Sequence, residues 1–265
     1  MAINEVFPNP TVKEVHFQVR FPSLFYIENK VGDFQLKIMT RLPKSALLLR
    51  RQFVIADIGP QAKIVNMPES AEPESTQKVW QFSSDAGVTV NLMASSLGIH
   101  SQHHTTYDNP TSADRFRDVI QFIVDSFLDV TSIPIISRIG LRYVNECPLP
   151  TPLTDHAFSE YYNTAFPLSR FGIADTDSLT FTTIVRRGQN SLRYQEEFLR
   201  QGNSARLKLD CDGYRENVKP CDYLSTTDDL HTLIGKEYEA FIRDPVYAFM
   251  RTPGVTRNER QANKP

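Results

Sequence analysis

Arg138 and Arg142 stand four residues apart in the run Arg138-Ile139-Gly140-Leu141-Arg142-Tyr143-Val144-Asn145, with Gly140 midway between them. Successive side chains of a strand point to opposite faces, so both arginines and the glycine share one face while Ile139, Leu141 and Tyr143 enter a core. Glycine weakens a strand and leaves bare backbone where another group can come close. Guanidinium forks engage carboxylate and phosphate oxygens in pairs. This spacing therefore offers anion capture on an accessible sheet face. Pairing with neighbouring acids of the same sheet is the ordinary alternative.

His100, His103 and His104, with Tyr107 and Asp108 close by, form a second concentration of reactive side chains. Imidazoles ligate metals and move protons near neutral pH. No HxH or HExxH spacing accompanies them, and a polar loop that contains histidine is the simpler account. Asp210-Cys211-Asp212-Gly213 has the look of an opening calcium loop, but Glu216 comes too early to close one. It reads instead as a turn at a strand end. Arg186-Arg187-Gly188-Gln189-Asn190 reads as a hairpin turn. P-loop, dinucleotide, nucleophile-elbow and kinase signatures are all missing from the sequence. Nothing in the sequence calls for a cofactor or a metal.

Cys147, Cys211 and Cys221 make no CxxC pair, which argues against a zinc ribbon or a redox motif and fits a reducing compartment. A net charge of −2 over 265 residues does not favour nucleic acid as a charge-driven partner. No apolar run approaches the roughly 20 residues of a membrane helix. The start Met-Ala-Ile-Asn-Glu-Val-Phe-Pro lacks the basic and apolar parts of a signal peptide. A cytoplasmic protein off the membrane is expected.

These residues need a scaffold, and periodicity supplies one. Val15, Phe17, Val19 and Phe21 alternate with His16, Gln18 and Arg20, the pattern of a half-buried strand. Ile27, Val31, Phe34 and Ile38 mark a helix closed by Pro43. Strands are expected over 45–55, 79–83 and 88–99, the last two joined across Asp85-Ala86-Gly87. Residues 67–77 read as a mobile loop. Phe116, Val119, Ile120, Ile123 and Phe127 form the stripe of a helix over 112–129, capped by Ser112 or Asp114. Beyond Pro134 and the arginine strand come a short helix over 155–166 and strands over 179–187, 192–200 and 205–211. A last helix capped by Asp228 or Asp229 ends at Pro245, and the tail after Pro253 should fray.

A two-residue turn at Gly202-Asn203 would set Glu197 opposite Lys208, Gln195 opposite Asp210 and Arg193 opposite Asp212. The element order nearly repeats, as strand–helix–strands–helix. An α+β fold is expected: one extended antiparallel sheet built from two similar halves, 1–133 and 134–252, with helices on one face. Residues 253–265 would be a flexible tail. If the first strands of the two halves are neighbours, the uncovered face carries His16, Gln18, Arg20, Arg138 and Arg142.

Asn9-Pro10-Thr11-Val12-Lys13-Glu14-Val15, Trp80-Gln81-Phe82 and the Arg138–Asn145 strand together resemble a sporadically distributed, uncharacterised prokaryotic family of similar length. That resemblance brings no activity with it. Its patchy distribution implies the mobile accessory genome, where defence and toxin–antitoxin genes are frequent.

The expectation is a non-catalytic recognition, adaptor or sensor protein in such a bacterial system, binding a protein partner or an anionic ligand. Its surface would consist of Arg138, Arg142, Arg20, Gln18, Tyr143 and Asn145. The alternative is a metal-independent RNA-processing or phosphoester-cleaving enzyme of duplicated ferredoxin-like arrangement. There His104 or His16 would act as acid or base, with the arginines stabilising phosphorane charge. A small-ligand pocket between sheet and helices is a third possibility. The sequence does not bear on oligomeric state.

Overall fold

The computed structural model describes residues 5–50, 77–202 and 204–253. In chain order the elements are β1 (Val12–Arg20), α1 (Val31–Ile38), β2 (Lys44–Arg50), β3 (Gln77–Ser83), β4 (Val88–Met93), β5 (Ser96–Ser101) and α2 (Phe116–Val130). There follow β6 (Ile136–Cys147), α3 (Asp155–Tyr161), β7 (Ser178–Arg187), β8 (Asn190–Gln201), β9 (Ser204–Val218), α4 (Tyr223–Phe241) and α5 (Asp244–Arg251). All nine strands join one antiparallel sheet in the order β2-β3-β4-β5-β1-β6-β9-β8-β7. The α+β fold expected from the pattern is the one found.

The two first strands, β1 and β6, pair at the centre of the sheet, setting Gln18 against Gly140 and Arg20 against Arg138. Each then pairs with the last strand of its own half, β1 with β5 and β6 with β9. The connectivity of one half is thus repeated in the other, with β2 as an extra edge strand in the first.

One face is apolar and carries the helices. Along one cross-strand row Phe82, Val90, Ile99, Phe17, Leu141 and Gly213 follow one another. Phe34 of α1 meets Phe82 and Phe127 edge to face, tying α1 and α2 to the sheet. Gly213 is where α4 settles: a Cβ there would come 3.2 Å from Cδ1 of Ile234. Alternation along each strand keeps these side chains from water, the main favourable term in folding.

Several expected boundaries move. The strand expected over 88–99 is two strands, turned at Ala94-Ser95, so that Met93 pairs with Ser96. Asp210-Cys211-Asp212-Gly213 is not a terminal turn but the middle of the fifteen-residue β9. Its period of two sends Asp210 and Asp212 to one face, Cys211 and Gly213 to the other. The N-cap of α2 is Arg115, with no side-chain cap. Asp114 spends its carboxylate on His103 and His104 instead. The last long helix opens at Tyr223 rather than near Asp228, which lies inside it and accepts from Arg117 and Tyr107. Pro245 starts α5 at a position where its missing N–H is no loss. The hairpin of β8 and β9 has the expected register, with Glu197 opposite Lys208 and Arg193 opposite Asp212. Residues 51–55 of the expected second strand, the loop before Gln77 and the tail after Pro253 lie outside the described residues.

Candidate functional site

Among the described residues, no helix packs on the second face of the sheet. Gln18 lies at its centre, opposite Gly98 of β5 on one side and Gly140 of β6 on the other. Two neighbours without side chains leave a hollow, and a cavity of about 330 Å³ opens there. Arg20, Arg138, Arg142, His16 and His100 stand around it. The two glycines serve different ends. Above Gly98 a Cβ would meet only the Phe17 carbonyl, at 3.8 Å. Above Gly140 it would come 2.7 Å from Nη1 of Arg138. Gly140 is bare so that the Arg138 side chain can lie along its own strand.

Arg138 reaches over the Tyr214 ring, 4.5 Å from its centroid, and donates from Nη2 to Oδ2 of Asp212 at 2.8 Å. Arg142 takes Asp210 with two donors, Nε at 2.7 Å and Nη2 at 2.5 Å. Asp210 is 4% exposed at its side chain, whereas Arg142 is 40% exposed. The Asp210 carboxylate is therefore an anchor sunk in the sheet and Arg142 is the partner that meets solvent, whereas Arg138 and Asp212 are both half-buried. Both acids project from β9, next to β6. Burial raises the Asp212 carboxyl above its ordinary pKa even with two arginines beside it, and the Asp210 hydrogen bond raises Arg142. Arg20 is exposed and donates from Nε to the Gln18 amide at 2.9 Å, not to an acid among the described residues.

His16 sits on the same face with Nε2 3.1 Å from Oε2 of Glu14, and its ring stacks on His100 at 4.5 Å. Burial, then His100 and Arg142, hold the His16 imidazole below its usual pKa. Burial would raise Glu14, but His16, His100 and Gln102 together bring it below the ordinary carboxyl value.

Tyr143 and Asn145 do not join this cluster. The period of two carries them to the helix-bearing face, where they border a separate hollow of about 130 Å³ beside α4. Asn145 is buried and accepts from Thr11, which also bonds Tyr238 at 2.6 Å. The Tyr143 hydroxyl lies 3.1 Å from Nδ1 of His231. His104 is likewise on the far side, 5% exposed, with Nδ1 at Ser101 and Nε2 at Asp114. His16 and His104 therefore cannot act on one substrate.

Glu14, His100, Asp210 and Asp212 are members of the site that the sequence reading left out of it. Glu14 and His16 share a face by spacing alone, and so do Asp210 and Asp212. What connects the aspartates to the arginines is strand pairing across 68 and 74 residues, and His16 meets Arg142 only through the pairing of β1 with β6; no local pattern reveals either.

Comparison of the chain with protein-family models, with curated proteins and with solved structures found no match. No helix among the described residues is long and apolar enough to cross a membrane.

Two histidines on the helix-bearing side give the protein a defined response to acid. His104 and His231 are both held below the ordinary imidazole pKa by burial, against the opposing pull of Asp114 on the first and of Asp108 and Asp228 on the second. Below about pH 6.5 an unfolded chain takes up protons on these rings that the folded chain refuses. Stability should fall as pH drops from 7 towards the folded pKa values, by up to roughly 1.4 kcal/mol per pH unit for each ring. Thermal unfolding at pH 7.5 and 5.5 measures it. His231→Gln should flatten the fall, and an unchanged slope in that variant would count against the assignment.

Proposed function

We propose that this chain is a recognition protein that captures a small ligand bearing phosphate or carboxylate groups in the hollow on the sheet face that bears no helix among the described residues. One observation carries the reading: Arg20, Arg138 and Arg142 border a single cavity whose floor is Gln18 between two glycines. Asp212 and Asp210 fix two of these side chains before any ligand arrives, so little rotamer freedom is left to lose on binding. Asp210 engages Nε and Nη2 of Arg142, which leaves its Nη1 donors for another acceptor. The volume falls at the small end of ligand sites. The same forks suit the carboxylates of an acidic protein segment. A bacterial defence or toxin–antitoxin setting is what the family resemblance implies. The reading assigns no reaction to the site.

Inorganic phosphate, pyrophosphate and citrate are direct probes. At 100 times its Kd a ligand stabilises the fold by about 2.7 kcal/mol, a rise of several degrees in Tm. Arg20→Ala removes an exposed donor that pairs with no acid among the described residues, and should cut affinity at least ~10-fold, as expected for one charge-assisted hydrogen bond. No shift with any of the three anions, or shifts identical in Arg20→Ala, would overturn the proposal.

A further inference from the structure

Beside the arginines lies a group of side chains that anion capture does not require. Glu14 and His16 come from the same face of β1, and His100 stands directly opposite His16 on β5. Oε2 of Glu14 is 3.1 Å from Nε2 of His16 and 3.7 Å from Nε2 of His100. All three donor atoms lie within 4.8 Å of one another. A zinc ion with bonds of about 2.0–2.2 Å keeps its tetrahedral ligands roughly 3.3–3.5 Å apart, so two edges of that figure are already close to size.

A second observation concerns His100. Its Nε2 is buried and has no hydrogen-bond partner among the described residues. Buried polar atoms are rarely left so, and each exception calls for an explanation. Oε2 of Glu14 is engaged by His16 and lies 3.7 Å from Nε2 of His100, beyond hydrogen-bond reach. Gln102 donates to the other oxygen of Glu14 at 3.3 Å, an outer contact of the kind that orients metal-binding carboxylates. The nearby positive charge of Arg142 is taken up by Asp210.

We propose that Glu14, His16 and His100 form a site for a divalent transition cation of the zinc class, with a remaining coordination position open to the cavity. Two imidazoles and one carboxylate suit such an ion; magnesium and calcium favour all-oxygen sites. The site stands independently of anion capture, because its ligands are not the arginines and it is tested without any anion.

The test uses the full, untagged chain, stripped with EDTA, dialysed and titrated with cobalt(II) and then zinc(II). One equivalent of cobalt should give the visible absorption of a low-coordinate centre, and one equivalent of zinc should abolish it. His100→Ala and Glu14→Gln should each weaken zinc binding by about 100-fold or more, since losing a ligand costs at least what outer-shell losses cost. His103→Ala and Cys221→Ser should leave it unchanged. His100→Gln keeps the polarity of the site, so it replaces the alanine variant if circular dichroism shows that one to be unfolded. Absence of stoichiometric binding overturns the proposal, and so does binding undiminished by change at His100. Loss in His103→Ala alone would move the ion to Asp114 and overturn it equally.

Discussion

Glu196→Ala should lower stability by about 2–4 kcal/mol, because hydrogen bonds to a carboxyl group are the expensive ones to lose and this carboxyl is itself buried. Glu196 is 1% exposed on the helix-bearing face of β8, between Phe181 and Leu209 on the neighbouring strands. Its carboxyl accepts from the Tyr194 hydroxyl at 2.8 Å, from the Ala165 N–H at 3.0 Å and from the Thr164 hydroxyl. The group closes the backbone where the chain passes from α3 towards β7. Truncation takes the acceptor from two hydroxyls and an amide and leaves the space the side chain filled. The expected loss in Tm is on the order of 10 °C. Glu196→Gln is the decisive control. Its amide oxygen keeps the Tyr194 and Ala165 bonds, and its NH2 can donate to the Thr164 hydroxyl, so it should recover most of the loss. Equal destabilisation by both variants in urea unfolding would show that shape, not hydrogen bonding, sets the cost.

Glu196 also marks the limit of what could be read from the sequence. The alternation of Tyr194, Phe198, Leu207 and Leu209 and the turn at Gly202 are local facts, and they set the register of β8 and β9 correctly. The same pattern shows Glu196 as an interruption and cannot say what satisfies it. Its partners at 164 and 165 arrive from a different connection. Asp210-Cys211-Asp212-Gly213 was misread for a related reason. Asp and Gly favour turns locally, yet here two aspartates hold arginines from β6 and the glycine makes room for Ile234 of α4. Tertiary demand overrides local preference at each of these positions. The arginine face was legible because a period of two is visible along one strand. Its acid anchors were not. The same period already set Tyr143 and Asn145 on the other side from Arg142, and the expected binding surface that joined them to the arginines ran against it.

That division changes what removal of the arginines should do. On sequence grounds, losing Arg138 and Arg142 together leaves thermal stability nearly unchanged, as befits exposed side chains. The geometry argues otherwise for Arg142. Its partner Asp210 is 4% exposed and stays in the sheet when the guanidinium is gone. An ion pair broken from one side leaves a buried charge without compensation, at about 3–5 kcal/mol when both groups are fully buried. Arg142 is 40% exposed, and water entering its place offsets part of that, so about 1–3 kcal/mol is expected for Arg142→Ala. Removing the acid as well should restore much of the loss. In a double-mutant cycle, Arg142→Ala with Asp210→Ala should be more stable than the sum of the single changes predicts, by at least about 0.5 kcal/mol. Additive effects would mean that the two side chains do not stabilise each other in solution. The cycle also governs how binding at this face is measured. Arg142→Lys keeps a positive charge near Asp210 but loses the planar fork, so anion affinity should fall while Tm moves much less than in Arg142→Ala.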